Sequence, residues 1–177
     1  MRVELGVDMS DDNSLHMLAE KLGATRIDWL VCNAGMMVRD DLGSLDREAM
    51  VAQFEVNALG PLFLASALAK QLGKGSKIGI VTSRMGSIAD NGSGGFYGYR
   101  LSKVAVNMAG MSLARDLAPR GISVVLLHPG FINTEMTGGQ GNDTPDVAAR
   151  GIADRMGELT PETSGSFRHA NGETLPW

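Results

Sequence analysis

The chain has 177 residues, 44% apolar and 20% charged, enough to bury one ordinary core in a single domain spanning residues 1–177. A formal charge of −4, with lysines and arginines scattered rather than striped, argues against a phosphate backbone as partner, so no nucleic acid is expected. No apolar run reaches the roughly 20 residues of a membrane span, the start lacks a signal-peptide core, and the single Cys32 permits no internal disulfide, so a cytoplasmic protein without a membrane partner is expected.

In chain order, residues 3–7 alternate apolar and other side chains as a strand does, and Ser10, Asp11 and Asp12 offer caps for a helix to about Leu22. Residues 27–32 form a second strand, stopped by the turn Asn33-Ala34-Gly35. Ser44 or Asp46 can cap a helix to about Asn57, and another is expected from Pro61 to Leu72, ended by Gly73 and Gly75. A strand follows over residues 77–82, then a glycine-rich loop, then a long helix from about Gly98 to Leu117, broken by Pro119-Arg120-Gly121. The most apolar strand covers residues 122–127 and ends at Pro129-Gly130. Thr144-Pro145 opens a helix to about Met156, and the tail after Ser166 holds a last strand.

Strands apolar on both faces and separated by crossover helices predict an α/β fold, a Rossmann-like doubly wound parallel sheet. Ligands of such sheets bind outside the carboxyl ends of the strands, where Asp8, Asn33-Ala34-Gly35, Ser83 and Pro129-Gly130 collect on one rim. Each alone is an ordinary turn residue, but the shared edge points to function. His16, His128, His169 and Cys32 have no metal-ligand spacing, and neither a Walker A loop nor a GxSxG elbow occurs, so no metal is expected.

Tyr99, Lys103, Val106, Gly110, Leu113 and Leu117 share one helical face, which places both polar residues at the head of an inward stripe. A lysine is seldom buried without a partner. In the structural alternative the phenol bonds a neighbour and the ammonium reaches back to water. In the catalytic reading the ammonium lowers the phenol from ~10 by roughly one to three units, Ser83 holds a substrate oxygen, and acid–base catalysis is worth ~10² to 10⁴ in rate. Asn57, on a face with Met50 and Phe54, either bonds backbone groups or anchors a water relay to Lys103.

Asp8, Asn33-Ala34-Gly35, Asn57, Ser83, Tyr99-x-x-x-Lys103 and Pro129-Gly130-x-x-x-Thr134 follow the order of the short-chain dehydrogenase/reductase family, which the chain resembles over nearly its whole length. The stretches TSRMGSIADNGSGGFYGYRLSKVAVNM, VLLHPGFINTEM and GETLPW resemble its branch of C-factor proteins and Sniffer-type carbonyl reductases. That resemblance implies reversible hydride transfer between NAD or NADP and a small-molecule carbonyl or alcohol. Tyr99 would then be the acid/base, Ser83 the oxygen ligand, Lys103 the phenol tuner and ribose ligand, and Asn57 the relay anchor. Asp8 would face the adenine, Asn33, Ala34 and Gly35 would line the cofactor cleft, and Pro129, Gly130, Ile132 and Thr134 would border the nicotinamide. A homodimer or tetramer through the helices from Pro61 and from Gly98 is implied in the same way.

The chain departs from the family pattern in places. Ser83 lies 16 positions before Tyr99, farther than is usual, so by spacing Ser87 competes, although Thr-Ser-x-x-Gly favours Ser83. Cys32 stands where asparagine is common and is expected to alter the cleft wall. The family's opening βαβ unit, with its Gly-rich loop and its choice between NAD and NADP, finds no match here. Weak dinucleotide binding and self-association through an open apolar edge at residues 27–32 are therefore expected. The eleven methionines are read as core gap fillers first, with a place near a substrate mouth as the alternative for Met85 and Met136, and the loop of residues 137–144 resembles a lid, with plain Gly-rich flexibility as its alternative. The alternatives to an active reductase are C-factor-like cell-contact signalling, or protein binding without turnover, and an inactive truncated reductase.

Overall fold

A computed structural model describes residues 3–177. Its helices are α1 (Asp12–Leu22), α2 (Arg47–Phe54), α3 (Gly60–Ala67), α4 (Tyr97–Leu117) and α5 (Pro145–Glu158), and its strands are β1 (Ile27–Cys32), β2 (Leu72–Val81), β3 (Ser123–His128) and β4 (Ser166–His169). Short polar side chains start the helices as expected. The Asp11 carboxylate accepts from the Asn13 N–H at 3.0 Å, Asp46 from Glu48 at 2.9 Å, and Thr144 caps α5 ahead of Pro145.

All four strands are parallel and lie in the order β1-β2-β3-β4, so every crossover carries a helix to the adjacent strand. Alternation along β2 and β3 divides their side chains between two faces. Ile78, Ile80 and Val124 join Leu30, Val106 and Ala114 in the larger core, on the side of α4. Val125 and Leu127 pack instead with Met156, Leu159 and Ile152 of the α5 side. Burial on both faces is what made these strands read as continuous apolar runs. Among the described residues no helix is long and apolar enough to cross a membrane, and no group of three or more His, Cys, Asp or Glu could hold a metal.

Three expectations need correction. Residues 3–7 form no strand: Val3, Leu5 and Val7 are exposed, because a strand exists only through a paired neighbour and none of the described strands lies beside them. At the other end, β1 stands at the sheet edge with Trp29 and Val31 exposed, as the open-edge expectation required. The third helix stops at Ala67, and Leu72 already pairs with Ile27, so Gly73 and Gly75 lie in β2 rather than at a helix end. Arg120 reaches across to donate to the Ala69 and Leu72 carbonyls at 2.7 and 2.8 Å, a tertiary contact that closes the helix early.

The third correction concerns Asn57. Between α2 and α3 the backbone widens into a π turn, Glu55–Leu59, in which the Gly60 N–H donates to the Glu55 carbonyl. Phe54 is therefore exposed while Asn57 is 1% exposed, and the two do not share the face that α-helical spacing predicted.

Candidate active site

The first two turns of α4 bury both members of the Tyr-x-x-x-Lys pair, with Tyr99 8% and Lys103 3% exposed. Lys103 Nζ donates to the Val81 carbonyl at 3.2 Å and stands 5.5 Å from the Tyr99 ring centroid. Ser83 lies two residues past the end of β2 and shares a side-chain hydrogen bond with the phenol. Its Oγ also accepts from the Met85 N–H at 3.1 Å, which starts a tight turn, Arg84–Gly86. That turn is pressed onto α4, since a Cβ on Gly86 would lie 2.8 Å from the Lys103 carbonyl oxygen, so only glycine permits the approach. Ser87 instead accepts from the Asp90 N–H at 3.1 Å, within its own loop. Of the two serines that sequence spacing left open, Ser83 is the one beside the phenol.

The electrostatics differ from expectation in one respect. Burial raises the Tyr99 phenol above its ordinary value of 10.0, and the Ser83 hydrogen bond offsets this only in part. Lys103 does not lower it, because burial also pushes the Lys103 amine down to about 8 and its proton is directed at the Val81 carbonyl. At neutral pH the resting pair is a protonated phenol beside an ammonium.

Asn57 ties the site together. Its Oδ1 accepts from the Met36 N–H at 2.8 Å, and its Nδ2 donates to the Met36 carbonyl at 2.8 Å and to Ser102 Oγ at 3.0 Å. Ser102 in turn donates to the Tyr99 carbonyl at 2.7 Å. The side chain thus takes the backbone-bonding option and couples the turn after β1 to the helix that carries Tyr99.

These elements border a cleft of about 1420 Å³ along the carboxyl ends of the strands. Asn33, Ala34, Gly35, Ser83, Tyr99, Lys103, Pro129, Gly130, Ile132 and Thr134 all line it, as do Met85 and Met136. Three expected residues do not, the buried Asn57 among them. Asp8 lies outside the cleft, exposed, its carboxyl held below the usual range by hydrogen bonds from the Ser10 N–H and hydroxyl. Cys32 faces the core, 2% exposed, its thiol pushed up to about 12 by burial, because strand alternation turns it away from the cleft wall formed by Val31. The loop of residues 137–144 is tied down by hydrogen bonds from the Asn133 N–H to the Asp143 carbonyl at 3.0 Å and from Asn142 to Phe131 at 2.7 Å.

Several lining residues escaped the sequence reading. His128 follows the last β3 residue buried in the core, packs edge-on against His169 at 4.8 Å, and is pushed down to about 3 by burial, with His169 and Arg84 adding to the effect. Arg39 stands 5.9 Å over the Phe96 ring. Phe96 has φ 51°, in the left-handed region that a bulky residue rarely enters. Asp40 holds it there, its carbonyl accepting from the Phe96 N–H at 3.0 Å while its carboxylate accepts from the N–H groups of Tyr97 and Gly98.

The family model for short chain dehydrogenase matches residues 3–145. A 1-hydroxy-2-glutathionyl-2-methyl-3-butene dehydrogenase of Rhodococcus sp. (strain AD45) is 45% identical over 99% of this chain and 80% of its own length. C-signal of Myxococcus xanthus is 42% identical over 85% of this chain and 93% of its own. Among solved structures, the NADPH-bound carbonyl reductase from chicken fatty liver matches with TM-score 0.91 at 26% identity, covering 99% of this chain and 77% of that one. The Sniffer carbonyl reductase of D. melanogaster matches with the same TM-score, 0.91, at 27% identity, covering 98% of this chain and 77% of that one.

Proposed function

Because the chain belongs to the short-chain dehydrogenase/reductase family, in its branch of C-factor and Sniffer-type proteins, and is thus an oxidoreductase that uses NAD or NADP, we propose that Tyr99 is the acid/base of a carbonyl–alcohol interconversion. The observation that carries this reading is the buried phenol, hydrogen-bonded to Ser83 with the Lys103 amine 5.5 Å from its ring. Ser83 and Tyr99 would both hold the substrate oxygen, and Tyr99 would deliver its proton as that oxygen gains negative charge. A phenol raised by burial stays protonated until it is needed, which suits reduction. In the oxidative direction the Ser83 hydrogen bond, which favours the charged phenol, would help hold phenolate.

The cleft fits a dinucleotide's nicotinamide half. A Cβ on Gly35 would stand 3.2 Å from Asn57 Oδ1 and 3.6 Å from Lys103 Nζ, so a bare backbone edge lies against the amine that would hold the ribose. Asn33, Ala34 and Gly35 would hold the ribose with Tyr99 and Lys103, and Pro129, Gly130, Ile132 and Thr134 would hold the nicotinamide, whose role when bound is to supply or accept hydride. Asn57 would position rather than react, through Met36 and Ser102.

The Rhodococcus relative's name describes an alcohol beside a glutathionyl substituent, and we take an alcohol or carbonyl of that kind as the first substrate to try. Tyr99→Phe should abolish NAD(P)H oxidation, by about 10² or more, while leaving the circular dichroism spectrum unchanged. Turnover that survives in Tyr99→Phe would reject the assignment. A second reading, a signalling role, is favoured by the 42% identity to C-signal; signalling activity that persists in Tyr99→Phe would select it.

A further inference from the structure

Four cationic side chains line the cleft among the described residues: Arg39, Arg84, Arg100 and Lys103. Three are occupied. Arg84 pairs with Glu173 at 2.7 Å and with Asp90 at 3.6 Å. Arg100 donates to the Gly95 carbonyl at 3.1 Å and to Ser93 Oγ at 2.9 Å, holding the loop before α4. Lys103 donates to Val81 beside the phenol. The guanidinium of Arg39 has neither an ion pair nor a hydrogen bond with any described residue. Its neighbour Asp40 is committed to the backbone of α4, and of the carboxylates that line the cleft Asp90 answers Arg84, while Glu135 lies on the wall after Thr134.

Position decides what such a cation is for. Arg39 rests on Phe96, the residue immediately before α4 and three before Tyr99, and both side chains line the cleft together with the phenol. The strained backbone of Phe96, held by Asp40, fixes the ring 5.9 Å from a guanidinium whose hydrogen-bond donors are unused. A planar fork with unused donors matches a carboxylate.

We propose that Arg39 is a specificity residue that receives a carboxylate of the substrate, so that the substrate class is an anionic, glutathione-like thioether conjugate rather than a neutral carbonyl compound. This rests on the dehydrogenase reading for the identity of the reacting end, but the binding of the acid end is testable without turnover. The probes are S-hexylglutathione and its diethyl ester, titrated by calorimetry into the full chain. Wild type should bind the free acid about tenfold or more tighter than the ester. Arg39→Gln should bring the two affinities together by weakening the acid alone, and Arg39→Lys should keep part of the preference, with thermal melts confirming that both variants are folded. Equal affinities in wild type, or a preference unchanged in Arg39→Gln, would overturn the proposal. Discrimination between the two probes by a protein in which Tyr99→Phe has no effect on turnover would instead sink the catalytic reading and leave the acid-binding role of Arg39 standing.

Discussion

Asp40 caps a helix that begins 57 residues further along the chain, its carboxylate accepting from the backbone N–H of Tyr97 and, at 2.8 Å, of Gly98. The residue in the ordinary cap position, Phe96, has no side-chain acceptor to offer. One distant carboxylate therefore both satisfies the orphan amides of α4 and joins the turn after β1 to the helix bearing Tyr99. Asp40→Ala should lower stability by about 1–2 kcal/mol in denaturant titrations and reduce kcat, whereas Asp40→Asn, which can still accept one of the two bonds, should fall between it and wild type. An alanine variant with wild-type stability and rate would show that the cap positions nothing.

The two serines after β2 should separate cleanly. Ser83 touches the phenol, so Ser83→Ala should cost about 10² in kcat/KM with little change in melting temperature. Ser87 is 1% exposed and serves its own loop through Asp90, so Ser87→Ala should lower the melting temperature and largely spare the rate. The reverse pattern in steady-state kinetics and melting curves would transfer the oxygen-binding role to Ser87.

Lys103 makes stability depend on alkaline pH. The folded amine titrates at about 8 against an ordinary lysine value of 10.5, so between those values the unfolded chain holds more protons and raising the pH favours folding. Below pH 8 both states are protonated and the burial cost is constant. In Lys103→Met this rise should vanish, so the stability of wild type relative to the variant should increase across pH 8 to 10.5. A flat difference in urea titrations across that range would contradict a buried, desolvated amine.

His128 acts at the acid end. Its folded value near 3 lies below the usual 6.5, so the neutral ring's contribution is complete above pH 6.5 and is lost as the pH falls toward 3. His128→Gln should flatten that acid limb in melting temperatures recorded from about pH 7 to 3, and the wild-type turnover rate should carry no inflection assignable to His128 near neutrality. An acid limb of equal slope in both proteins would remove His128 as its source.

How much of this was legible beforehand follows from how local each signal is. The inward stripe of α4 was readable because Tyr99, Lys103, Val106 and Gly110 repeat at helical spacing and all four are buried. The rim residues Asn33, Ser83 and Pro129 were readable because turns follow apolar runs. Asp40 was not, because its partners lie in another part of the chain; the only local hint was a helix opening on Gly95-Phe96 with no capping side chain. The early end of α3 was hidden for the same reason, since it depends on Arg120. The expected acidification of Tyr99 failed because desolvation, which requires knowing how deep the phenol sits, outweighs the Ser83 hydrogen bond that opposes it.

The widened turn at Glu55–Leu59 makes the polypeptide one residue longer there than a regular coil would need. Taking that residue out would let the coil close as a regular helix with α2 and α3 still in register, but Asn57, inside the turn, would lose the widened backbone that aims its amide at Met36 and Ser102. A single-codon deletion here would therefore leave the amount of helix unchanged while disconnecting the two walls of the cleft, damage that far-ultraviolet spectra would miss.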